Sequence, residues 1–119
     1  MKMENENIYM QLKELAMKVC CSPNMEGREK LKRFLNVAHE YTGIRMNWNF
    51  MTYDEKEEND RHRTLIHNEA LKLIKDFVLY ELDREEVSED FVREFYKLDR
   101  KTLGDYANLL VSEFAVNMR

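Results

Sequence analysis

Residues 52–82 have the sequence TYDEKEENDRHRTLIHNEALKLIKDFVLYEL, the longest segment of the chain with helical periodicity. Its apolar residues share one wide helical face: Ile66, Ala70, Leu73 and Phe77, flanked by Leu71, Ile74, Val78 and Leu82. Thr52 and Glu55 have the spacing of a capping box, which predicts where the helix begins. We therefore predict a long helix from Asp54 to about Leu82, with an apolar face wide enough for contacts on two sides.

Two helices are predicted before this segment. The first carries an apolar stripe formed by Ile8, Leu12, Leu15, Ala16 and Val19. It is expected to end near Cys21, because the Ser-Pro-Asn sequence at 22–24 cannot continue a helix. The second is predicted to run from Met25 to about Tyr41, with Gly43 as its C-terminal cap. Gly27 does not fit this pattern, since a glycine inside a helix costs about 1 kcal/mol relative to alanine.

Two more helices are predicted after the long one. Ser88 has the properties of an N-cap, and Val87 is placed to pack against Val92 across the first turn. The chain is expected to bend or break at residues 99–101. Thr102, followed three residues later by Asp105, then predicts the start of the last helix.

Glycine and proline are scarce, with three and one residues in 119, where average usage would give about fourteen. Chains of many strands need such residues at each reversal, so a sandwich or barrel of strands is not expected. Hydrophobic residues make up 44% of the chain, enough for one core. The sequence predicts a single all-α domain over residues 1–119. It is a bundle of four to five helices with one extended arm at about residues 44–52.

The predicted arm is the only stretch that alternates apolar and polar residues, from Ile44 to Phe50. A period of two indicates an extended chain. Two roles are open for its large apolar side chains. They fill a groove in the protein's own core, or they form a hydrophobic contact for a partner, for which tryptophan and methionine are well suited. The partner-binding candidates are Met46, Trp48, Phe50 and Met51.

Charge and cysteine usage restrict the compartment and the partners. Cys20 and Cys21 are adjacent, which is typical of reduced thiols in a cytoplasmic protein. No apolar stretch approaches the roughly 20 residues of a membrane span, and the N-terminal residues do not resemble a signal peptide. The net charge is −4, with the acidic excess after residue 50. Attraction to nucleic acid is therefore not expected over most of the surface, and the basic run at 28–33 is interpreted as a solvated helix face.

Two arginines and two histidines cluster in the long helix, and two interpretations are open. Arg63 and His67 are four residues apart and can touch, which predicts a polar cluster at the edge of the core. Alternatively, Arg61 and His67, with five residues between them, resemble the R-x4-6-H motif of the HEPN superfamily of small helical nucleases. This resemblance implies a metal-independent ribonuclease, with the histidine as general acid or base and the arginine on the phosphate. The candidate catalytic residues are then Arg61, Arg63, His67 and Asn68.

No metal or other cofactor is predicted. Glu55, Glu58 and His62 can share one helix face, but a carboxylate-bridged centre needs a second Glu-x-x-His on a facing helix, and the sequence has none. Acidic residues in the first turns complement the helix dipole without a metal. No serine has a histidine partner indicated by the sequence, so triad hydrolysis is not expected.

Two segments together resemble a family of small bacterial proteins that is catalogued only as a domain of unknown function. They cover residues 54–80 and 99–119, with Asp60-Arg61, Arg63 and His67-Asn68 in the first and Asp99-Arg100, Asp105-Tyr106-Ala107, Val111 and Glu113-Phe114 in the second. The resemblance implies a small helical bacterial protein and no catalytic role. It also predicts that the His67-Asn68 segment packs against the Asp105-Tyr106-Ala107 segment.

Three functions are consistent with these observations. The first is a cytoplasmic interaction or regulatory protein without catalytic activity, which forms a homo-oligomer or binds a protein partner. The second is the ribonuclease described above, with RNA as its substrate. The third is a nucleic-acid mimic that uses the acidic residues between Glu81 and Asp90, six acids with one arginine, to bind a basic protein.

Overall fold

A computed structural model describes the chain from residue 5 to residue 115, with side chains from 7 to 114. Within that range the chain forms five α-helices: α1 (Asn5–Cys20), α2 (Met25–Asn47), α3 (Tyr53–Asp83), α4 (Glu89–Tyr96) and α5 (Arg100–Ala115). A 3₁₀ turn, Trp48–Phe50, connects α2 to α3. Buried apolar residues from all five helices form one hydrophobic cluster. The all-α bundle predicted from the sequence is confirmed.

Helices α2 and α3 form an antiparallel hairpin that is the centre of the bundle. Asn24, just before α2, bonds to Tyr80 near the end of α3, and Glu40 near the end of α2 lies beside His62 near the start of α3. The 31 residues of α3 rise about 46 Å, close to the 47 Å long dimension of the molecule. The two ends of this hairpin therefore lie at opposite ends of the protein.

Side-chain caps fix the starts of α3 and α4 as predicted. Thr52 Oγ1 accepts a hydrogen bond from the Glu55 amide at 3.2 Å, and the Thr52 amide donates to Glu55 Oε1 at 3.2 Å, which completes the capping box. Ser88 Oγ accepts from the Phe91 amide at 3.1 Å. Each cap satisfies amides that a helix start leaves without an intrahelical partner.

The predicted extended arm at 44–52 is wrong, and so is Gly43 as a cap. Helix α2 continues through Gly43 to Asn47, and Trp48–Phe50 form a 3₁₀ turn. Contacts with α5 explain the difference: Thr42 Oγ1 donates to Asn108 Oδ1 at 2.6 Å, and Arg45 Nη2 lies 2.8 Å from Asp105 Oδ1. Such tertiary contacts outweigh the helix penalty of one glycine, about 1 kcal/mol.

The start of the last helix also differs from the prediction. Helix α5 begins at Arg100 and not at Thr102. Asp99 is the capping residue, since its Oδ1 accepts from the Thr102 amide at 2.8 Å. The predicted cap was Thr102, with Asp105 three residues later. The observed cap has the same spacing but lies three residues earlier, with Asp99 as the cap and Thr102 as the amide donor.

Close packing accounts for Gly27, which is buried in the first turn of α2. A Cβ at this position would lie 2.8 Å from Glu81 Oε1 and 3.1 Å from Asn24 Nδ2. The glycine therefore makes room for the side chains that meet where α3 ends against the start of α2. No helix among residues 5–115 is long and apolar enough to cross a membrane.

Candidate functional site

The turn between α2 and α3 exposes large apolar side chains to solvent. Met46 is 71% exposed, Phe50 87% and Tyr53 80%. Trp48 and Met51 are half-buried. The expectation that Met46 and Phe50 fill a groove is therefore wrong, because both side chains point away from the core. We call Met46, Trp48, Phe50, Met51 and Tyr53 the α2–α3 tip.

An arginine holds the tryptophan of the tip in place. The guanidinium carbon of Arg63 lies 4.0 Å from the centroid of the Trp48 ring. The same guanidinium donates through Nη2 to Asp60 Oδ1 at 2.9 Å. A cation over an indole face contributes about 0.5–1 kcal/mol at an exposed site. Arg63 thus connects the first turns of α3 to the 3₁₀ turn and limits the motion of Trp48.

Acidic residues flank the α2–α3 tip on one side. Asp54, Glu55, Glu57 and Glu58 are all exposed in the first turns of α3. They complement the positive end of the helix dipole, and Glu55 also forms the capping box. The tip is therefore an apolar surface with negative charge beside it.

His67 lies at the centre of a second group of polar residues, which we call the Arg–His cluster (Arg45, Arg63, His67, Asn68, Arg100). The imidazole ring packs on the Tyr41 ring, with centroids 4.8 Å apart. Its Nε2 is buried, has no hydrogen-bond partner among the described residues, and faces Gly104. Burial lowers the pKa of His67, and so do the positive charges of Arg100, Arg45 and Arg63, against a main-chain hydrogen bond with Arg100. Burial and the neighbouring positive charges therefore favour the neutral form of the ring in the folded protein.

The Arg–His cluster connects three helices. Arg100 at the start of α5 donates to Asn68 Oδ1 in α3, and Arg45 in α2 pairs with Asp105 in α5. Gly104, next to the Asp105-Tyr106-Ala107 segment, also lies against His67. That the Asp105-Tyr106-Ala107 segment itself packs on His67-Asn68 stays a prediction. These polar contacts fix how α2, α3 and α5 are aligned along their axes, because a shift of any one of them would separate the paired side chains.

The residues required by the ribonuclease hypothesis are not all brought together. Arg61 is exposed, and the charges that act on His67 are those of Arg100, Arg45 and Arg63. Six residues correspond to more than one and a half helical turns, so Arg61 and His67 lie on different sides of α3. A substrate would reach the buried Nε2 of His67 only if α5 moved. The geometry favours the structural interpretation of the Arg–His cluster.

The residues considered for a metal make other contacts. His62 Nε2 lies 3.1 Å from Glu40 Oε1 in α2, and Glu55 forms the capping box; Glu58 is exposed. In the part of the chain that the structure describes, no three His, Cys, Asp or Glu side chains are placed to hold a metal ion.

The acidic segment from Glu81 to Asp90 is less uniform than its sequence indicates. Glu81 is fully buried, and Glu86 forms an ion pair with Lys18 in α1. Asp83, Glu85, Glu89 and Asp90 remain exposed. The proposed mimicry of nucleic acid would therefore depend on four carboxylates and not on six.

Sequence reasoning missed Tyr53, Tyr41 and Glu81. Tyr53 directly follows the capping residue Thr52, outside the alternating segment from which the other tip residues were predicted. Tyr41 is indicated by the sequence only as the predicted end of the second helix, and its contact with His67 depends on tertiary packing. Glu81 carried a usable signal, because it lies four residues after Phe77 and three after Val78, on the apolar face of α3.

Comparison of the chain with profiles of known protein families, with curated proteins and with solved structures found no match. The resemblance to a bacterial family of unknown function therefore stays a prediction.

Proposed function

We propose that this chain is a cytoplasmic protein-interaction module without catalytic activity, which binds a partner protein through the α2–α3 tip. The exposure of Met46, Phe50 and Tyr53 carries this proposal. Grouped apolar side chains in contact with water are unfavourable unless a partner covers them, and such patches mark interaction sites on soluble proteins. The two exposed thiols, Cys20 and Cys21, suit a reducing compartment.

The size of the tip favours an anchor over a flat interface. An aromatic side chain buries about 150–250 Å², so Phe50 and Tyr53 with Met46 supply less than the roughly 800 Å² per partner of a standard interface. Anchors of this kind insert into a pocket and contribute most of the binding energy. We therefore expect the partner to offer an apolar pocket.

The charges beside the tip define the rim of that pocket. Asp54, Glu57 and Glu58 would lie next to the bound partner. Carboxylates at the edge of an interface favour lysine and arginine on the other side and accelerate association at low salt. The partner we expect therefore has an apolar pocket bordered by basic residues.

The tip is also rigid enough to bind without a large loss of entropy. Its loop has only five residues between α2 and α3, three of them in the 3₁₀ turn. The capping box fixes one side and the Arg63–Trp48 contact the other. A surface that is ordered before binding loses less conformational freedom on association.

A photo-crosslinking amino acid at position 50 tests the proposal in the cells that make the protein, with position 109 as the matched control. Leu109 is also an exposed apolar residue, 47% accessible, but lies on α5. We expect an adduct from position 50 and none from 109. The adduct partner is then purified and titrated with the wild type, Phe50→Ala and Leu109→Ala.

The expected result is a loss of about 2 kcal/mol in binding for Phe50→Ala, roughly 30-fold in Kd, with Leu109→Ala close to wild type. Binding should also weaken as salt rises. An adduct composed only of second copies of the chain, or equal affinity of wild type and Phe50→Ala, would overturn the proposal.

A further inference from the structure

A cavity of about 210 Å³ lies at the opposite end of the α2–α3 hairpin from the tip. Val19 and Pro23 form apolar walls, Ser22 lies between the end of α1 and the start of α2, and the other lining residues are charged: Lys18, Glu81, Arg84 and Glu86. Tyr53 in the tip and Glu81 in the cavity are about 40 Å apart along α3. The cavity is therefore a separate feature from the surface assigned to protein binding.

Glu81 is the unusual residue of this cavity. It is 0% exposed, and neither carboxylate oxygen has a hydrogen-bond partner among the described residues. Arg84 Nη1 approaches Oε2 to 3.5 Å, near enough for charge attraction but too far for a well-formed hydrogen bond. An unsatisfied buried polar group is destabilising, and more so when it is charged.

The surroundings of Glu81 maintain this unfavourable placement. Gly27 leaves the space that Oε1 occupies, and a Cβ there would lie 2.8 Å from it. Asn24 makes no hydrogen bond to Glu81, and its side-chain amide instead donates to the Tyr80 hydroxyl at 3.0 Å. A carboxylate can accept about four hydrogen bonds. The two oxygens are acceptors without donors, but both are covered in this structure. A group with several N–H donors therefore reaches them only when a lining side chain such as Arg84 moves aside.

The charges of the lining balance. Lys18 pairs with Glu86, and Arg84 faces Glu81. A simple cation bound to Glu81 would be repelled by Arg84, and a simple anion bound to Arg84 would be repelled by Glu81. A ligand with both charges avoids both repulsions. Its cationic group binds the Glu81 carboxylate, and its anionic group binds Arg84, which is thereby released from its contact with Glu81.

We propose that this cavity binds a small zwitterion of the amino-acid type, with its ammonium group on the Glu81 carboxylate and its carboxylate on the Arg84 guanidinium. An ammonium group has three donors, and a guanidinium can hold a carboxylate through two parallel hydrogen bonds. The volume equals about seven water molecules at roughly 30 Å³ each. It lies below the 300–1,000 Å³ of sites for drug-sized ligands, so the ligand is small.

An NMR titration of ¹⁵N-labelled protein with L-alanine at millimolar concentrations tests this assignment. Ethylamine and propionate are the half-ligand controls, because each carries only one of the two charges. We expect saturable shifts for L-alanine at the amides of Ser22, Gly27 and Arg84, and affinities at least tenfold weaker for either half-ligand. Binding of ethylamine as tightly as L-alanine, or no saturable shift, would overturn the proposal.

Three variants assign the binding to the residues named. Glu81→Gln and Arg84→Gln should each weaken L-alanine binding at least tenfold. Arg93→Gln is the matched control, because Arg93 forms an i,i+3 ion pair with Asp90 just as Arg84 does with Glu81. Dispersed amide spectra of each variant establish that it folds. Equal binding by all three variants contradicts the site, whereas the crosslinking at position 50 tests the protein-binding function independently.

Discussion

Gly104 in α5 lies directly against the imidazole of His67 in α3, so that a Cβ at position 104 would be 2.9 Å from Nε2. This approach is closer than ordinary van der Waals contact. The ring also packs on Tyr41, with centroids 4.8 Å apart, which limits its freedom to move away. The fold therefore needs a glycine in the second turn of α5, where helix propensity alone would favour alanine.

Gly104→Ala should destabilise the protein by about 1–3 kcal/mol, the usual range for inserting a methyl group into a packed site. Gly43→Ala is the control, since a Cβ there meets nothing within 4 Å and the backbone is helical. It should stabilise by roughly 0.5–1 kcal/mol. Urea unfolding of both variants measures the difference, and a stabilising Gly104→Ala would contradict the contact with His67.

Helix α2 continues through Gly43, and this difference from the prediction shows which features local sequence cannot predict. Local signals placed both ends of α3 to within a residue, because the capping box and the apolar periodicity depend on near neighbours in the chain. The end of α2 was misplaced since it depends on Asp105 and Asn108, about 60 residues away. The alternating pattern of residues 44–50 is real, but the contacts with α5 decide the conformation.

The candidate sites also have features that the local sequence predicts and features that depend on tertiary packing. The sequence identified four of the five residues of the tip, all except Tyr53, because their apolar character is recognisable without a structure. It did not identify their exposure, since an apolar side chain is buried or exposed according to what packs over it. The partners of His67 belong to three helices. The cavity around Glu81 is lined by α1, α3 and the segments that follow each of them, so no local spacing could predict either arrangement.

Glu81→Gln should stabilise the protein at neutral pH by about 1–3 kcal/mol, because it removes a buried carboxylate without hydrogen-bond partners. Burial raises the pKa of Glu81, and Glu86 raises it further, against the opposing charges of Arg84 and Lys18. The folded protein therefore holds this proton more tightly than the unfolded chain. Wild-type stability from this group should fall as pH rises from about 4.5 through the raised pKa.

Urea unfolding between pH 4 and pH 8 checks this, with Glu94→Gln as the control on a partly exposed glutamate that pairs with Lys97. The advantage of Glu81→Gln over wild type should increase with pH and be small at the acid end. An advantage that does not change with pH would show that Glu81 titrates alike in the folded and unfolded states.

His67 should produce a pH dependence of the opposite sign. Burial and the charges of Arg100, Arg45 and Arg63 lower its pKa, so the unfolded chain binds a proton that the folded protein does not. Stability from this group is therefore complete above about pH 6.5 and is lost as pH falls from there through the lowered pKa. In a Glu81→Gln background, where the opposing slope is absent, this loss becomes measurable.

His67→Gln, compared with His39→Gln as an exposed control, should remove that slope and reduce stability at pH 7.5 through lost packing on Tyr41. An NMR titration of the imidazole resonances measures the pKa of His67 directly. A His67 pKa at or above its ordinary value contradicts the prediction. Cleavage of RNA by the wild type that is lost in His67→Gln would instead support the ribonuclease hypothesis.

Trp48 is the one tryptophan of the sequence, so its fluorescence reports on the α2–α3 tip. Arg63→Gln removes the guanidinium 4.0 Å from the indole ring and should shift the emission to longer wavelength and increase quenching by acrylamide. The loss in stability should be only about 0.5–1 kcal/mol. Arg61→Gln is the matched control, since Arg61 is an exposed arginine two residues earlier in the same helix.

If the contact with Arg63 orders the tip before binding, Arg63→Gln should also weaken binding of the partner identified by crosslinking at position 50. The lower affinity should result mainly from faster dissociation. Arg61→Gln should leave both emission and binding unchanged. The two variants remove the same charge from positions two residues apart in α3, so a general electrostatic effect would weaken partner binding equally in both. Equal weakening would therefore count against an ordered tip, and unchanged emission in Arg63→Gln would show that the guanidinium does not hold the indole.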